Sequence, residues 1–184
     1  MGKITALDTA NYFVYLLSGV CDDLTNMKVN KMLYYAQGHY LKSTGTPLFD
    51  DEIEAWSHGP VVNAVYQVYK GYGDNPITEC DAARAEAVSD DVADFLLGVG
   101  REYSRFTASA LRNMTHVVNG PWDKVYNEHD RHIVIPIDLI KLFFEENISD
   151  IAPVDVPMTE DCFVGYRDEN GCLVLPKEWN DEAV

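Results

Sequence analysis

A mainly helical α+β chain is what this sequence predicts: a compact helical domain with a small two-stranded sheet and a C-terminal β-hairpin. Three observations point there. Apolar residues recur at spacings of three and four through most of the chain up to residue 144, which is the signature of amphipathic helices. Two short segments, 49–57 and 132–135, instead read as strands, the first by its period of two and the second as a short apolar run. Near the C-terminus, Asn170-Gly171 separates two β-rich runs, and both residues tolerate the positive φ of a tight hairpin turn.

The elements follow in order. Asp8 is expected to cap a first helix carrying Tyr12, Phe13, Leu16 and Leu17 and ending near Ser18-Gly19. A second helix over 27–42 places Val29, Leu33, Ala36 and Tyr40 on one stripe, while Tyr34, Tyr35, Gln37 and His39 fall off it. A helix covered on a second face explains that pattern most simply. Gly45 and Pro47 stop it. In 49–57, Ile53 and Ala55 lie on one side of a strand and Glu52, Glu54 and Trp56 on the other, and 133–135 is its expected partner. Pro60 is assigned the first position of a third helix whose stripe is Val62, Val65, Tyr66 and Tyr69, closed by Gly71 and Gly73.

The acidic, alanine-rich stretch 74–91 reads as a surface connection holding one weak helix. Ser89 then caps a strong helix with Val92, Phe95, Leu96, Val99 and Tyr103, and Thr107 caps a shorter one ending at 114–116. Pro121-Trp122 opens another helical turn. Pro136 and Asp138 start a last helix through Leu139, Ile140, Phe143 and Phe144. In the C-terminal hairpin the two-residue turn pairs Glu169 with Cys172, which keeps Cys162 out of disulfide reach of Cys172.

Composition bounds the function. At 184 residues and 47% hydrophobic, the chain fills one core, with residues 1–148 as the domain and 149–184 as an extension. No apolar run of about 18 residues and no basic-then-apolar leader occurs, so a cytoplasmic protein without a membrane span is expected. Fourteen basic against thirty acidic residues leave a net charge of −16, which repels nucleic-acid phosphates and speeds encounter with basic proteins.

The four cysteines form no C-x-x-C pair, and Cys21 sits before Asp22-Asp23, whose field raises its thiol pKa. Of the histidines at 39, 58, 116, 129 and 132, only the last two share a helical spacing, so neither a metal nor another cofactor is expected. His58 is a turn residue, and His116 sits where an imidazole can satisfy helix-end carbonyls. Acidic runs such as Asp50-Asp51-Glu52 read as solvated charges, and no phosphate-binding or nucleophile-elbow motif is present. No catalytic residue is assigned.

Several blocks carry a resemblance: Lys31-Met32-Leu33-Tyr34-Tyr35-Ala36-Gln37, Pro47-Leu48-Phe49, Ile53-Glu54-Ala55-Trp56, Gly59-Pro60-Val61-Val62, Val65-Tyr66 and Lys70-Gly71-Tyr72-Gly73. Leu111, Thr115-His116 and Pro121-Trp122 continue them, so that most of residues 24–145 is covered. The chain resembles the Panacea antitoxin domain family, which includes SocA-like antitoxins and phage-associated GepA-type proteins. It departs at Asn63, where proline is frequent in that family, and at Asn119-Gly120, where an acidic residue is common.

The resemblance implies an antitoxin that neutralises a cognate toxin by direct protein–protein binding, some members delivering the toxin to a protease machine. Stoichiometric occlusion is the mechanism expected here. The candidate partner-binding residues are Lys31, Tyr34, Tyr35, Gln37, Trp56, His58, Gly59 and Pro60, because rigid aromatics anchor interfaces and the resemblance is densest there. A homo-oligomer stays open. Two rivals also stay open: a winged-helix-like DNA-binding regulator, opposed by a third helix with only Lys70, and a phage-associated enzyme, which would need a cleft joining His58 or His116 to carboxylates.

Overall fold

The computed structural model describes residues 4–130, 132–151, 166–167 and 173–174. The chain falls into two units, Met1–Pro153 and Val154–Val184. The first is mainly helical. Its opening helix, α1 (Ala6–Leu17), is capped by Thr5, whose hydroxyl accepts from the Asp8 amide while the Asp8 carboxylate accepts from the Thr5 amide. Asp8 is thus the third residue of a capping box rather than the cap itself, and its other oxygen is free to hold Arg84 at 2.8 Å.

The helix α2 (Asn26–Thr44) starts at Thr25 and ends at Gly45, which takes φ +75° and returns its N–H to the Leu41 carbonyl. It is the axis of the unit. Beyond the stripe of Val29, Leu33 and Ala36, the side chains of Tyr34, Tyr35, Gln37 and His39 are buried as well. The covering helices follow along the chain: α3 (Asn63–Tyr69), α4 (Ala82–Glu86), α5 (Asp90–Tyr103), α6 (Ala108–Thr115), α7 (Pro121–Val125) and α8 (Ile137–Asn147). α1, α3, α5, α6 and α8 pack on α2, and α4 packs on α1.

Polar groups that sit inside must find partners inside. His39 shares a 2.7 Å hydrogen bond with the Tyr103 hydroxyl, and burial pushes its imidazole down to about 4. Gln37 serves the 48–49 loop with both ends, donating to the Phe49 carbonyl and accepting from the Leu48 and Phe49 amides. Asn30 accepts from the Val62 amide at 2.9 Å and donates back to Asn26. Asn30→Ala therefore strands a buried N–H, and a loss of about 2 kcal/mol is expected. Urea unfolding reads this directly: an unshifted midpoint at constant m would mean that Val62 needs no such acceptor.

The sheet differs from expectation in one respect. β1 (Glu54–Trp56) pairs antiparallel with β2 (Gly59–Val61) around a Ser57-His58 turn, with Ala55 opposite Pro60. Pro60 is a strand residue, not the start of α3, which begins three residues later. The reason is directional. The Ala55 N–H points away from β2 to the Ile133 carbonyl at 2.7 Å, so the Ala55/Pro60 pair does not call on the N–H that proline lacks. The expected pairing of 52–56 with 133–135 is present on that other side as a single Glu54↔Val134 bridge, flanked by the Ala55–Ile133 and Ile135–Ile53 hydrogen bonds.

In the second unit, β3 (Tyr166–Arg167) pairs with β4 (Leu173–Val174), with Arg167 opposite Leu173. A C-terminal hairpin is therefore present, one residue out of the expected register. A two-residue turn would set Arg167 against Val174, whereas Val174 stands opposite Tyr166. The turn residues, Cys162 and Cys172 lie outside the described residues.

Candidate functional site

The tip of the β1–β2 hairpin brings together most of the unusual side chains. Trp56, last residue of β1, is half-buried, while Ser57 and His58 beyond it are exposed. The indole is held from several sides. Its Nε1 donates to Glu54 Oε2 at 2.7 Å, and the same oxygen accepts from His132 Nδ1 at 2.7 Å. Tyr66 meets the ring edge-on with centroids 4.8 Å apart. From α7, Trp122 Nε1 donates to the Trp56 carbonyl at 2.8 Å, and Trp122 is itself packed between His116 and Tyr126.

Two open cavities share Trp56 and Ser57 as walls. One, of about 380 Å³, is completed by Tyr126, Asn127, Glu128, Asp130 and His132. The other, of about 280 Å³, is bounded by Asn26, Asn30, Lys31, Tyr66, Lys70 and Asp74 among others. An amphipathic indole fixed in place between two recesses is a rigid contact element that loses little conformational entropy on binding.

Beneath the turn lies Lys31, none of which reaches solvent. Its Nζ donates to the Pro60 carbonyl at 2.8 Å, the group that Pro60 turns away from β1. No carboxylate pairs with it among the described residues. Burial, with like-charge repulsion from Arg112 added, pushes the amine down to about 7. Gly59 makes this approach possible: it adopts φ +96°, and a Cβ there would stand 2.6 Å from Thr115 Oγ1 and 3.0 Å from Lys31 Cε.

The eight residues proposed from sequence separate into three groups. Tyr34, Tyr35 and Gln37 are interior, engaged with Tyr103, Phe144 and the 48–49 loop, and offer no surface in this structure. Lys31, Gly59 and Pro60 form the buried underside of the turn. Trp56 and His58 alone reach solvent. Sequence reasoning missed Glu54, although its place two residues before Trp56 on one strand face could have found it. It also missed His132 and Tyr126, which reach the site only through tertiary packing.

The remaining candidates resolve locally. His116 Nδ1 donates to the Arg112 carbonyl at 2.6 Å, the helix-end role expected of it. Cys21 has its thiol pushed up, by burial first and by its hydrogen bond to Asp23 second. Among the described residues no three His, Cys, Asp or Glu side chains converge in a metal-binding group, and no helix is long and apolar enough to cross a membrane.

Comparison with known proteins places this geometry in context. The family profile described as Antitoxin SocA-like, Panacea domain, matches residues 29–123, from α2 into α7. The chain is also similar to Antitoxin SocA of Caulobacter vibrioides (strain NA1000 / CB15N), with 27% identity over 139 residues, covering 68% of this chain and 72% of that protein. No solved structure matches.

Proposed function

Because this chain belongs to the SocA-like Panacea antitoxin family, we propose that it neutralises a cognate protein toxin by binding it directly, with the hairpin tip as the centre of contact. The observation that supports this reading best is Trp56, half-exposed and locked by Glu54 and Tyr66 between two open cavities. Hot spots at protein interfaces are of this type: a large amphipathic ring in a defined pocket, rimmed by polar groups. The net charge of −16 favours a more basic toxin and faster encounter with it. Binding that covers the toxin's working surface suffices for neutralisation, and delivery to a protease would use the same contact. The acidic surface argues against the DNA-binding alternative.

Co-expression with the product of an adjacent gene tests the proposal. That product is expected to arrest growth alone, to be tolerated when this protein is present, and to elute with it as a complex. A product that is harmless alone, or one that stays toxic with no complex formed, overturns the antitoxin reading.

A further inference from the structure

The Lys31 cavity has a chemical preference of its own. A buried ammonium carries three donors, yet among the described residues Nζ finds one acceptor, the Pro60 carbonyl. Elsewhere the wall is already satisfied: Asn26 donates to the Tyr66 carbonyl, and Asn30 is engaged with Asn26 and the Val62 amide. Lys70 adds a second amine at the rim. Among the described residues, the charged and titratable groups around Lys31 and its cavity are Arg112 from α6, His58 from the turn, Tyr66 from α3, and Lys70 and Asp74 after α3. Asp74 alone is acidic, and it is exposed. In a chain with sixteen excess negative charges, this recess has one amine at its rim and a second directly behind its wall.

We propose that this cavity is an acid-binding socket: an aspartate or glutamate side chain of the bound protein partner enters beside Trp56 and Tyr66, and its carboxylate pairs with the Lys31 ammonium. The volume supports a single side chain as occupant, since about 280 Å³ falls just below the range of roughly 300–1,000 Å³ typical of small-molecule and cofactor sites. Lys31 lies behind the cavity wall, unexposed and held on the Pro60 carbonyl, so pairing requires its last side-chain bonds to rotate to another staggered well and turn Nζ into the cavity. The ion pair restores a charge that burial disfavours, so occupation is coupled to proton uptake by Lys31. That the occupant belongs to a toxin rests on the antitoxin reading; the preference for a carboxylate does not.

The test uses the full chain and two probes, N-acetyl-glutamate N-methylamide and its glutamine counterpart, each to about 50 mM, a range suited to millimolar affinity. The Trp56 indole N–H and the Lys31 Cε resonances report occupation. The glutamate probe is expected to shift the indole signal saturably and to raise the pH at which Lys31 titrates. With Lys31 titrating at about 7, its affinity should fall roughly fiftyfold between about pH 7 and pH 9, as the protonated fraction falls. His58→Gln should keep that dependence, Asp74→Asn should tighten binding several-fold, and Lys31→Met should abolish it.

Equal binding of the glutamine probe, a pH-independent affinity, retention of binding in Lys31→Met, or no saturable shift overturns the proposal. Should Lys31→Met fail to fold, the wild-type Lys31 titration with and without probe decides alone. No toxin is needed, so failure here and failure of the co-expression assay are separate results.

Discussion

Gly38→Ala is expected to destabilise the helical unit by about 2–3 kcal/mol, lowering Tm by roughly 5–10 °C, although alanine is the better helix former by about 1 kcal/mol. The new methyl group would stand 2.3–2.5 Å from three ring atoms of Phe144. That ring has no room to retreat, because Tyr34, Tyr35 and His39 all meet it edge-on. Gly38 is thus where α8 closes onto α2. Urea and thermal unfolding give the answer, and Phe144→Leu in the alanine background should recover part of the loss by making space. An unchanged midpoint for the single variant would show that α8 yields freely and that the contact does not fix the pair.

The second large effect concerns the proposed complex. Trp56→Ala should speed release of the toxin about thirtyfold, equivalent to about 2 kcal/mol, with little change in the association rate. Raised salt should do the opposite, slowing association through screening and leaving dissociation nearly constant. Circular dichroism of the free variant must remain native-like, since Trp56 also touches Tyr66 and Glu54. Glu54→Gln, which keeps the shape and removes the charge, separates loss of the ring from loss of its support. Equal dissociation rates for wild type and a folded Trp56→Ala would remove the hairpin tip from the interface.

The legible parts of this fold were those governed by local periodicity and capping. The stripe of Val92, Phe95, Leu96, Val99 and Tyr103 marks α5 without ambiguity, and Thr107 accepts from the Ala110 amide as a cap should. Elements whose form depends on partners distant in sequence were harder to read. Pro60 carries the local marks of a helix start, and only the direction in which Ala55 spends its N–H makes a strand there acceptable.

The same distinction holds for the site. Trp56 and His58 could be picked from their turn. The residues off the main stripe of α2 do signal a second covered face, which Tyr34 and Tyr35 occupy, but nothing within α2 says that α5 and α8 supply the cover, so the same two rings also qualified as interface candidates. Lys31 is the most instructive case. Lysine is almost never fully buried unless paired, so composition argues for the surface, and only the hairpin folding over it reverses that expectation.

The enclosure of α2 also bears on how such proteins diversify. The run from Lys31 to Gln37, within the stretch that the family profile matches, lies wholly inside, braced against its own loops and helices. Likeness in such interior residues reports a shared scaffold and is silent about what the surface binds. Positions 57, 58, 126–128 and 130, by contrast, border the cavities and include exposed residues. With the contact proposed above, substitutions at these positions would alter partner preference while every buried residue of the axis stays as it is.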